Sequence, residues 1–94
     1  MSSNIEDLAK TLGDFLTAKN KEGISDEEKS NLFEDFLGGA DKQEAFLRAT
    51  GRQVDKDDKE RGAGTEYWNA MLEEAATGFI NLSSNIQANI SLLA

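Results

Sequence analysis

The sequence has no cysteine, no histidine and no proline. Without cysteine there is no disulfide and no thiolate site. With histidine missing as well, zinc, haem and iron–sulfur centres lose their usual protein ligands, so neither a cofactor nor a metal is expected. The lack of proline removes the residue that kinks or stops a helix from within. Basic side chains are scarce: ten Lys and Arg stand against eighteen Asp and Glu, a net charge of −8. Phosphate recognition needs a basic face, so nucleic acid is not an expected partner, and an anionic membrane surface is disfavoured for the same reason. An acidic balance suits solubility or a basic protein target. The opening residues, Met1 to Asp7, contain neither a basic segment nor an apolar run. They do not read as a signal peptide, which makes cytoplasmic the default location and leaves signal-independent export or a virion open.

Charge is also absent locally. Residues 75–94 contain no ionisable side chain, and all ten bases and eighteen acids precede them. A helix lying on a small domain normally carries charge on its wet side. This one offers Thr77, Asn81, Ser84, Asn85, Gln87, Asn89 and Ser91 instead. The stretch is long enough to cross a bilayer, but those amides and hydroxyls make it too polar, so no membrane span is expected.

The pattern along the chain is helical throughout. With 94 residues, one domain is expected. Ile5, Leu8, Leu12, Phe15 and Leu16 form one apolar stripe behind a cap at Ser3 or Asn4. Ser25-Asp26-Glu27-Glu28 is a capping box that opens a second helix with Leu32, Phe33, Phe36 and Leu37 on its inner face. Gly38-Gly39 ends that helix. Asp41 is expected to cap a short third helix carrying Ala45, Phe46, Leu47 and Ala49, which Gly51 closes. Residues 52–64 are polar apart from Val54 and Ala63 and read as a mobile loop or a frayed extension. Thr65 is the expected cap of the last helix. From there Trp68, Leu72, Ala75, Phe79, Leu82, Ile86, Asn89 and Leu93 step by alternating fours and threes, a heptad seam running to the end of the chain. The expected fold is therefore all-α: a small bundle of three short helices within residues 1–51, a polar loop at 52–64, and one long C-terminal helix over 65–94, uncharged from residue 75 on.

Chemistry-bearing motifs are few. Asp55, Asp57, Asp58 and Glu60 invite a calcium reading, but an EF-hand register starting at Asp55 puts Lys59 at the fifth position and Glu60 where glycine belongs. Gly62-Ala63-Gly64-Thr65 lacks the lysine and the preceding strand of a phosphate loop. The carboxylate pairs Glu34/Asp35 and Glu73/Glu74 are neighbours in sequence and point in different directions on a helix. No activated nucleophile is visible, and an enzyme is not expected. Trp68 reads as a core residue and its neighbour Tyr67 as the better candidate for an exposed anchor.

These features favour a non-enzymatic helical interaction protein that self-assembles, or docks on a helical partner, through its uncharged C-terminal helix. The expected interface residues are Phe79, Leu82, Ile86, Asn89, Ile90 and Leu93, with Asn81 and Asn85 as amides able to set register between like helices. Filament subunits of secretion systems and phage structural subunits are built on a similar plan, an analogy of architecture alone. The rival reading is a small acidic inhibitor, of the phage or plasmid type, that covers the basic surface of a nucleic-acid-binding enzyme or defence protein. Its acidic face would be Glu6, Asp7, Asp14, Asp26, Glu27, Glu34 and Asp35. Lys10, Lys19, Lys21 and Lys29 break that run in the sequence.

Overall fold

In the computed structural model, which describes residues 10, 12–14, 16, 17, 23–60 and 64–93, every regular element is helical. Helix α1 spans Asp26–Leu37, α2 Ala40–Ala49, a 3-10 helix Lys56–Glu60, α3 Thr65–Ile80 and α4 Ser84–Leu93. Residues 10, 12–14, 16 and 17 are helical too, and Leu12 among them is fully buried. The chain is an all-α bundle, as its apolar stripes require. The readings placed on Ile5, Glu6, Asp7, Leu8, Phe15, Lys19, Lys21 and Ala63, and on the side chain of Leu93, lie outside the described residues.

Capping chemistry sets the helix starts. Ser25 holds the first turn of α1, with its hydroxyl oxygen accepting the Glu28 N–H at 3.2 Å, while Asp26, Glu27 and Glu28 sit at the positive end of the helix dipole. Gly38 stops α1 at φ +105°, and its N–H returns to the Glu34 carbonyl at 2.8 Å. A Cβ at Gly38 would also come within 3.0 Å of Lys42 Cγ. Positive φ and close approach both call for glycine there.

Two expected caps are corrected. Gly39, not Asp41, precedes α2: its extended carbonyl accepts the N–H groups of Lys42 and Gln43, each at 3.0 Å. Asp41 falls in the first turn, where Lys56 Nζ donates to it at 2.8 Å. That hydrogen bond and the Lys56 ammonium charge hold the Asp41 carboxyl below its ordinary value, and the same bond with the Asp41 carboxylate charge raises Lys56 above its own. Likewise Gly64 precedes α3 and takes the Trp68 N–H at 3.1 Å, so Thr65 is already inside the helix.

The core is built mainly on α3. Trp68, Leu72, Ala75, Ala76 and Phe79 meet Phe33 and Leu37 of α1 and Phe46 and Leu47 of α2. The Phe46 and Phe79 rings lie 5.5 Å apart, tilted by 56°, a favoured aromatic arrangement. The buried amides and the indole are paired, as burial demands. The Trp68 indole N–H donates to Gln43 Oε1 at 2.7 Å, and Gln43 Nε2 donates to the Gly38 carbonyl at 2.9 Å. Asn69 Nδ2 donates to the Asp26 carbonyl at 3.0 Å. Lys29 leaves the outer face of α1 and reaches Glu73 of α3 at 3.3 Å, with both side chains less than one-fifth exposed.

Residues 52–60 are not the free loop that their polarity suggests. Val54 is buried, Arg48 Nε donates to its carbonyl at 2.7 Å, and Glu44 accepts the Lys56 N–H at 2.6 Å. Polar side chains of α2 thus reinforce the single apolar anchor at Val54. Two of the acids in this stretch hold their own backbone: Asp58 accepts the Asp55 N–H and Asp55 accepts the Asp57 N–H, both at 2.9 Å.

The largest correction concerns the expected long C-terminal helix. It is two helices, interrupted at residues 81–83. Asn81 turns its amide back to the Thr77 carbonyl at 3.1 Å. Ser83 starts α4 with its carbonyl accepting the Gln87 N–H at 2.9 Å and its hydroxyl facing the Ile86 N–H at 3.4 Å. Gln87 Nε2 then donates to the Phe79 carbonyl at 2.9 Å, which in an uninterrupted helix would receive the Ser83 N–H. The fold back places α4 against α2. Two short helices can be covered by a bundle that could not have sheathed one long rod.

Candidate interaction surface

The turn at 81–83 divides the expected interface residues between inside and outside. Phe79 and Ile90 are in the core, and Leu82 packs partly against it. Asn81, Asn85, Ile86 and Asn89 are exposed. Gln87 and Ile90 form the inner side of α4, and Ser91 carries a buried hydroxyl with no hydrogen-bond partner. The outer side presents Asn85, Asn89 and Leu92, spaced by four and three residues, with Ile86 beside them. Leu92 is 85% exposed and Ile86 48%. The helix therefore shows solvent an uncharged strip of two amides and two aliphatics. Leu92 lies off the heptad line while Ile86 lies on it, and Ile90, also off the line, is buried, so the line alone does not find the strip.

Tyr67 is 51% exposed while Trp68 is fully buried, the division expected of the pair. Tyr67 lies at the start of α3, far in sequence from the α4 strip.

The second surface lies on α1. Glu27, Glu28, Asn31, Glu34 and Asp35 are all exposed; residues 27, 31 and 34 repeat at helical spacing, with 28 and 35 alongside. Lys29, which interrupts the acids in the sequence, is drawn inward to Glu73 and Asp26. The outer face of α1 consequently carries acids and an amide without a base. Asp14 is exposed but pairs with Lys10 at 3.6 Å. Sequence order could not show which lysine turns inward; Glu73 lies more than forty positions away.

One open groove of about 660 Å³ lies where α2 ends, lined by Arg48, Arg52, Gln53, Val54, Asp55 and Asp58 among others. Its charges are spent locally. Arg52 bonds the Thr50 carbonyl and pairs with Glu74, and Arg48 holds Val54. The groove holds two guanidinium groups and two carboxylates, which gives it no dominant sign to select a ligand. Among the described residues no group of three acids is placed to hold a metal ion, and no helix is long and apolar enough to cross a membrane. No protein-family model, curated protein or solved structure matches the chain.

Proposed function

We propose that the protein is a non-enzymatic helical interaction protein that pairs with a second copy of itself through the uncharged outer side of α4. The observation that carries this reading is Leu92, 85% exposed on a strip with Ile86, Asn85 and Asn89 and no charge. A chain of net charge −8 repels its copies over most of its surface. The strip on α4 is where two copies approach without bringing like charges together, and Asn85 and Asn89 supply amides that can satisfy each other across a two-fold axis.

The test is the solution mass of wild type and of Ile86→Asp combined with Leu92→Asp. Wild type is expected to show a mass above that of one chain, rising with concentration. The double variant, placing two acids opposite two acids, is expected to return to single-chain mass while keeping a cooperative melt, because exposed substitutions shift stability by only about 0.5 kcal/mol each. A wild type that stays single at every concentration overturns the reading.

A second reading, docking on a basic protein, is favoured by the inward turn of Lys29, which removes the only base from the outer face of α1. It expects binding to a basic probe protein that weakens steeply with salt and that Glu27→Lys with Glu34→Lys reduces more than the same reversals at Asp55 and Asp57. Equal losses from the two pairs count against it.

A further inference from the structure

We propose that α4 is an exchangeable arm: α3 and α4 straighten into one continuous helix across residues 81–83, and each of two copies lays its α4 on the α2 of the other. This inference rests on the self-association reading and specifies its route.

The heptad seam is the first support. Trp68, Leu72, Ala75, Phe79, Leu82, Ile86, Asn89 and Leu93 keep strict register straight through the turn, although a bent chain has no use for continuity between its two halves. A seam unbroken across a break is the pattern of a sequence that also has an unbroken form. In the bent chain Ile86 and Asn89 are exposed, whereas Leu82 and Phe79 on the same seam pack inward. Straightening puts all four on one side, so that Ile86 and Asn89 prolong the packed side of α3 beyond the body.

The second support is the chemistry of the turn. Nothing covalent enforces it. The chain has no proline, and no residue other than glycine among those described has positive φ. Asn81 sits at φ −92°, ψ −1°, a short rotation from the helix. Besides two short backbone turns, Asn81 N–H to the Gly78 carbonyl and Leu82 N–H to the Phe79 carbonyl, and the packing of Ile90, three side-chain clasps hold the bend: the Asn81 amide on Thr77, the Ser83 cap, and Gln87 on the Phe79 carbonyl. Each stands in for a backbone bond that the straight helix would make itself.

The third support is size. Stable pairs bury about 800 Å² on each partner, and the outer side of a ten-residue helix about 15 Å long is small for that. Exchange reuses the packed α2–α4 contact between chains. A continuous helix from Thr65 to Leu93 would run about 43 Å, longer than the 35 Å greatest dimension of the folded chain. The straightened arm therefore has to leave its own body. Among the described side chains of α4, Ile90 is the buried aliphatic that holds it there, beside an unpaired Ser91 hydroxyl.

The test uses two variants of the full chain refolded at high concentration, with mass read by light scattering. Ser84→Pro fits the first position of α4, where a helix has no backbone partner for its N–H, but blocks an uninterrupted helix through residue 84. It is expected to fold, by circular dichroism, and to lose the dimer. Asn81→Ala with Ser83→Ala removes two of the clasps and is expected to raise the dimer fraction several-fold. A Ser84→Pro dimer as abundant as wild type's overturns the exchange while leaving face-to-face pairing through α4 intact. If Ser84→Pro does not fold, a dimer fraction unchanged by Asn81→Ala with Ser83→Ala overturns it instead. Wild type single at every concentration overturns both.

Discussion

Trp68→Ala is expected to lower the unfolding free energy by about 3–5 kcal/mol, a large share of a total of about 5–15 kcal/mol. Two losses combine. The indole is the largest fully buried side chain, and removing it leaves a void that α1 and α2 cannot fill without shifting. The Gln43 carbonyl oxygen also loses its 2.7 Å donor while remaining buried. Trp68→Phe separates the two effects, since it keeps most of the apolar volume but strands Gln43, and is expected to cost about 1–3 kcal/mol. Urea unfolding followed by far-ultraviolet circular dichroism measures both. A Trp68→Phe loss as large as that of Trp68→Ala would show that the hydrogen bond outweighs the packing, the reverse of the order expected.

Phe79→Asp is expected to abolish the native fold at neutral pH, with a loss above about 4 kcal/mol. The side chain is 1% exposed and meets the Phe46 ring, so the substitution puts a carboxylate where no donor waits for it, and a buried charge without a partner is among the costliest changes a core can suffer. The contrast with Ile86→Asp is the informative part. Both residues belong to the same heptad seam in the sequence, and a single long interface helix would make them equivalent. In the bent fold one unfolds the chain and the other leaves it folded. Equal melting temperatures for the two variants would mean that α4 does not fold back from α3.

The particular residues explain what was legible and what was not. The α1 cap at Ser25, the stop at Gly38 and the inward stripes of α1 and α2 follow from local rules, because each depends on residues within a turn or two. Trp68 inside and Tyr67 outside follow from the seam. The turn at 81–83 does not. Asn81, Leu82 and Ser83 are acceptable within a helix, and what favours the bend is Gln87 reaching the Phe79 carbonyl together with the contact on α2, a tertiary outcome that outweighs weak local propensity. The same holds for Lys29: a solvated lysine by its position among acids, it is recruited by Glu73 only once α1 and α3 are side by side. Gln43 and Asn69, both polar and both buried, were invisible for the same reason. Their burial is decided by partners distant along the chain.

The inward turn of Lys29 makes the molecule electrically lopsided, with α1 presenting bare acids and α4 presenting none. In the field of any cationic body a copy would turn α1 toward it. Because the two helices are different faces of the same molecule, a pair joined at α4 would still offer one acidic ridge per copy, and pairing would double the grip on a cationic target instead of competing with it.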